Sequence, residues 1–233
     1  MEEECLWRQT WQMSNIYVLC EGQTEEMFVN QVLCPYVQGV SGVFLTPIIL
    51  TTKKTPKKKH KGGLVSYEKA KNEIQKLCSE HPNEYVTTML DFYAFPVDAP
   101  GMGQIDGIKD VYERVKHIES EISKDIGRKN FIPNLMLHEF EGLLFVKPEL
   151  LSEYYQESAD AAKSLVNVRD EFETPEHIDN GKETAPSKRI TSIIPEYDKV
   201  FAGSLIAIDI GIDDIRKECR HFSAWVDKLC SLK

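Results

Sequence analysis

Ile16-Tyr17-Val18-Leu19-Cys20 is a short apolar run that meets Glu21-Gly22 and gives way at once to a helical spacing of apolar positions. Such a run predicts a buried strand of the kind found in parallel sheets. Phe28, Val29, Val32 and Leu33 then fall on one side of a helix expected from Thr24 to about Leu33. Thr24 is the expected N-cap, and Glu25 and Glu26 suit the positive end of the helix dipole. Val43 to Leu50 reads as a second strand, and Pro47 within it predicts an edge position. Ser66 is placed to cap a helix carrying Ala70, Ile74 and Leu77, and Tyr85 to Leu90 reads as a third strand ending at Asp91. Ile108, Val111, Val115, Ile118 and Ile122 alternate at three and four residues, the spacing of an amphipathic helix. Leu135-Met136-Leu137 predicts a fourth strand, which ends at His138-Glu139-Phe140-Glu141.

The order β-α-β-α-β-α-β predicts an α/β fold with a mostly parallel sheet, right-handed crossovers and flanking helices. Beyond Pro148 the pattern is helical and irregular. A helix is expected from Pro186, and a last one carrying Ile212, Ile215, Cys219, Phe222, Trp225 and Leu229. The expected organisation is an N-terminal extension (1–13), an α/β core (14–147) and a helical C-terminal elaboration packed on it (148–233).

Acids now stand at three strand ends: Glu21, Asp91, and Glu139 with Glu141. In a parallel sheet these ends share one edge, where open α/β folds place their sites. Gly22 is expected to let the chain turn there, and Glu25, four residues after Glu21, can face the same cleft. Oxygen donors of this kind suit Mg²⁺ or Mn²⁺. Glu139 and Glu141 are not expected to point the same way, and Glu141 is the favoured site residue of the two.

The chain has 233 residues, 42% hydrophobic and 28% charged, which suits one large domain or a core with an appended part. No apolar run reaches membrane-span length, and six cysteines without a CxxC pair read as reduced thiols, so a cytoplasmic location is expected. A net charge of −9 argues against a protein coated in positive potential, but Lys53 to Lys61 forms a dense basic loop. Lys57, Lys58, Lys59 and Lys61 are candidates to grip a phosphate backbone. Lys188 and Arg189 stand at the start of a helix, where cations are unfavourable unless an anion such as phosphate binds there. His138 and His221 read as ligands or as interior imidazoles.

Glu21-Gly22-Gln23-Thr24-Glu25 after one strand and Leu90-Asp91-Phe92-Tyr93 after another resemble the TOPRIM domain of topoisomerases, primases and overcoming-lysogenization-defect nucleases. More narrowly, these blocks resemble a TOPRIM-like prokaryotic family catalogued as a domain of unknown function. The blocks His138-Glu139-Phe140-Glu141-Gly142, Ala185-Pro186-Ser187-Lys188-Arg189-Ile190 and His221-Phe222-Ser223-Ala224-Trp225 match it too. The resemblance implies a Mg²⁺-dependent nuclease acting on DNA or RNA. It implies that Glu21 is a metal ligand or general acid/base, Glu25 a ligand, and Asp91 the first aspartate of a DxD pair. Tyr93 replaces the second aspartate, so Glu141 or Asp98 would have to fill that place. It implies a lysine that stabilises the transition state, for which Lys188 is the candidate. It also implies an ABC-type ATPase partner of a phage-defence system, with a non-catalytic subunit of such a complex as the alternative.

Overall fold

A computed structural model describes residues 14–50, 66–93, 95–178, 181 and 183–232. The 1–13 extension and the lysine loop with Lys57, Lys58, Lys59 and Lys61 lie outside the described residues. The sheet is built from β1 (Asn15–Cys20), β2 (Phe44–Ile49), β3 (Tyr85–Asp91), β4 (Phe131–Ile132) and β5 (Leu135–Met136). Its order is β2-β1-β3-β4, with β5 also on β3, and every pairing is parallel. β2 is an edge strand, as Pro47 required. The expected single strand near Leu135 is two short strands, broken where Pro133-Asn134 intervenes; Asn134 Nδ2 donates to Thr88 O at 3.0 Å.

Side chains alternate across this sheet into two apolar layers. Leu19, Val86 and Leu90 face α3 (Tyr67–Glu80) and α4 (Val111–Ile126). Ile16, Val18, Cys20 and Met89 face the other layer, which holds Phe28, Phe140, Phe222 and Trp225. The C-terminal helices thus share one core with β1 rather than forming a core of their own. α4 begins after Asp110, whose carboxylate accepts from Glu113 N at 3.0 Å, so Ile108 precedes the helix instead of opening it.

Two further helices differ from the sequence expectation. The first runs past Leu33: α1 (Gln23–Phe28) passes through a π-helical turn (Val29–Leu33) into α2 (Cys34–Ser41). Pro35 is tolerated because it falls at the start of a new turn. The last helix is divided at Cys219, whose backbone is extended, into α9 (Ile212–Glu218) and α10 (Arg220–Cys230). Glu176 explains the break. Its carboxylate accepts from His221 N (3.0 Å) and Phe222 N (2.9 Å), satisfying the first N–H groups of α10 from outside the helix. α5 (Glu149–Tyr154), α6 (Ala159–Asp170), α7 (Pro186–Ile193) and α8 (Ser204–Ile210) complete the elaboration. Among the described residues no helix is long and apolar enough to cross a membrane.

Candidate cation site at the carboxyl edge of the sheet

Chain order reverses between β1 and β3: the crossover from β1 leads to β2 on one side, and β3 lies on the other. The crevice at such a reversal, at the carboxyl ends of the strands, is where α/β sheets bind ligands. Glu21 leaves β1 there and Asp91 ends β3 there, and Asp91 N donates to Glu21 Oε2 at 3.3 Å. The turn after β5 enters the same crevice. His138 takes a left-handed backbone (φ 65°), sparsely populated by residues other than glycine, and the chain then swings into a 3₁₀ turn over Phe140–Val146.

Backbone N–H groups fix one oxygen of most of these acids and leave the other turned inward. Gly22 N donates to Glu25 Oε2 at 2.9 Å, and Phe140 N donates to Asp91 Oδ1 at 2.9 Å. Thr24 is not the cap of α1; Gly22 holds that position. Gly22 is extended (φ −157°) rather than sharply turned, and a Cβ there would make only an ordinary contact with Glu25 Oε2 at 3.4 Å. Glu139 is held by Ser187, whose N–H (2.8 Å) and hydroxyl (2.9 Å) each donate to one of its oxygens. Glu141 is 0% exposed, and neither of its oxygens has a hydrogen-bond partner among the described residues.

The free oxygens meet a residue that the sequence patterns did not single out. Lys199 Nζ lies 3.4 Å from Glu25 Oε1, 3.4 Å from Asp91 Oδ2 and 3.1 Å from Glu141 Oε2. It stands on a π-helical turn, Lys199–Gly203, that leads into α8. Gly203 allows this segment to pack closely, because a Cβ there would come 3.1 Å from the Tyr197 hydroxyl and 3.4 Å from Thr24. That hydroxyl is buried without a hydrogen-bond partner among the described residues.

One ammonium cannot neutralise so many buried carboxylates. Burial, with Asp91 and Glu25 adding repulsion, raises Glu21 to about 8. Burial raises Glu141 to about 7, against the pull of Lys199. Glu25 and Glu139 are also raised, first by burial. Burial opposes charge on Lys199, but Asp91, Glu141, Glu25 and Glu21 together outweigh it and hold the ammonium well above its ordinary range.

The other sequence candidates fall elsewhere. Arg189 donates to Thr184 O at 2.7 Å, approaches Glu171 at 3.5 Å and stacks on Phe172. The anion at the start of α7 is the Glu139 carboxylate, where a phosphate was expected. Lys188 follows in that first turn and forms no ion pair among the described residues. Asp98 is at the start of α3, where it accepts from Tyr67 N at 3.5 Å, so Glu141 rather than Asp98 joins Asp91. Tyr93 N donates to His138 O. His221 lies between Glu119 Oε1 and Leu135 O, each 3.1 Å away, as an interior imidazole.

The donors are all carboxylate oxygens, several of them buried and unsatisfied, which suits a hard divalent cation. Their spacing does not yet do so: among the described residues no three His, Cys, Asp or Glu side chains form a ready metal-ligating group. They are arranged around an ammonium.

A search of curated proteins finds no match. Among solved structures, the chain is similar to the C-terminal region of the Xanthomonas campestris pv. campestris OLD protein. The match has 15% identity and a TM-score of 0.43, and covers 93% of this chain and 98% of that one. The family profile described as Domain of unknown function (DUF4276) matches residues 20–230, and the chain belongs to that family.

Proposed function

We propose that the chain is a TOPRIM-type nuclease that hydrolyses phosphodiester bonds with Mg²⁺ or Mn²⁺, as the effector of an ATPase-linked phage-defence system. One observation carries this reading: Glu25, Asp91 and Glu141, from separate stretches of chain, converge at the carboxyl edge of the sheet around a single cation, with Glu21 joined to them through Asp91 N. A divalent ion held by these acids, with Glu139 beside them, would supply charge for the phosphate oxygens and an activated water. Glu21 is suited to proton transfer. It is less buried than its neighbours, and a carboxyl raised to about 8 carries its proton near neutral pH and can give it to the leaving oxygen as a general acid. Lys188 remains the candidate phosphate contact of α7, and the Lys53–Lys61 loop, with Lys57, Lys58, Lys59 and Lys61, is assigned to guiding the nucleic acid.

The test is cleavage of plasmid DNA, single strands and tRNA by the full chain with Mg²⁺ or Mn²⁺, alone and with an ABC-type ATPase encoded beside it. Glu21→Gln and Asp91→Asn should each reduce cleavage by about 100-fold or more with folding intact. Cleavage undiminished in both variants overturns the assignment. A second reading, a non-catalytic subunit of such an ATPase complex, is favoured by the Lys199 ion pairs, which could serve as an internal lock. It predicts ATPase binding and no cleavage under any of these conditions.

A further inference from the structure

We propose that Lys199 is a resident stand-in cation. Its ammonium fills the place a divalent ion would take among Glu25, Asp91 and Glu141, and it must swing out before the ion can bind. This rests on the nuclease reading only insofar as that reading makes the cluster a cation site. The separations of 3.1 to 3.4 Å are longer than the about 2.7–2.9 Å of well-formed charge-assisted hydrogen bonds. Of the three acids, only Asp91 accepts a hydrogen bond from the ammonium. Among the described residues, Glu25 Oε1 and both Glu141 oxygens stay buried without one, and the Tyr197 hydroxyl is buried and unpartnered too. Buried polar atoms in that state point to a ligand that is not the lysine. The acids themselves are pre-positioned, because Gly22 N and Phe140 N hold the far oxygens of Glu25 and Asp91.

Lys199 also has a way out. Its side chain is 38% exposed, whereas Glu141 is fully buried, so it occupies the mouth of the crevice. It rides on a π-helical turn, a local distortion frequent at functional sites, and the next residues, Val200 and Phe201, are exposed rather than anchored. Lysine is a point charge on a flexible stem, able to leave without unpacking the layer beneath.

The test titrates Mn²⁺ into the metal-stripped full chain by calorimetry, comparing the natural protein with Lys199→Met. Lys199→Met should bind at least about tenfold more tightly, having no ammonium to displace. Equal or weaker binding by the variant overturns the proposal, and if both bind, the nuclease reading survives. If neither binds, both fail. Should Lys199→Met not fold, amine-reactive footprinting of the natural protein decides: Mn²⁺ should increase labelling of Lys199, and unchanged or reduced labelling contradicts the displacement.

Discussion

Ser187 meets the Glu139 carboxylate twice, through its backbone N–H at 2.8 Å and its hydroxyl at 2.9 Å. This clamp ties the turn after β5 to the start of α7, and it supplies the negative charge that the dipole of α7 favours. Ser187→Ala removes one of two bonds to a buried carboxylate and should destabilise the protein by about 1–3 kcal/mol. Urea unfolding of the variant checks this; a change within error would show the hydroxyl to be dispensable.

Glu176 holds the first turn of α10 by accepting from His221 N and Phe222 N, and it also receives the Tyr112 hydroxyl at 3.0 Å. Glu176→Ala strands three donors in a buried place, and about 3 kcal/mol or more should be lost. Hydrogen exchange should show α10 opening well before the sheet. Uniform protection across α10 and the sheet would argue against that local role.

His221 is ion-paired with Glu119, and although burial opposes its charge, Glu119 and Glu176 raise its pKa. The folded chain therefore binds this proton more tightly than the unfolded chain. The stabilisation is fully present below the ordinary histidine value of about 6.5 and is lost as pH rises through the raised folded value. Stability measured from pH 6 upward should decline more steeply in the natural protein than in His221→Gln. Identical slopes would remove His221 as the cause.

Trp225 Nε1 donates to Thr87 Oγ1 at 3.0 Å across the interface between α10 and β3. Trp225→Phe keeps most of the apolar contact but leaves the Thr87 hydroxyl without that donor, so a loss of about 1–3 kcal/mol is expected. Restoration by pairing it with Thr87→Val, read in a double-mutant cycle, would show that the bond, not the ring volume, sets the cost.

The parallel sheet and the meeting of Glu21 with Asp91 were legible because strand order alone brings strand ends to one edge. Glu141 followed for the same reason, although both it and Glu139 proved buried. Lys199 was not legible, because its partner Asp91 is 108 residues away and no period or motif surrounds it. A weak signal existed: with Asp198 it heads an otherwise uncharged run from Val200 to Ile208. At the start of α7 the pattern of Lys188 and Arg189 gave no hint that the chain's own Glu139 carboxylate sits there on Ser187. The break at Cys219 escaped notice because apolar spacing continues through it, and only the distant Glu176 carboxylate gives α10 its separate start.

Anomalous scattering from crystals of the full chain soaked in Mn²⁺ tests the cation site most directly. A peak bound by Asp91 and Glu141, in the space between them that the Lys199 ammonium now fills, is the predicted result, with the lysine turned to solvent. Saturating Mn²⁺ with no peak there, and Lys199 still seated among Glu25, Asp91 and Glu141, would contradict it.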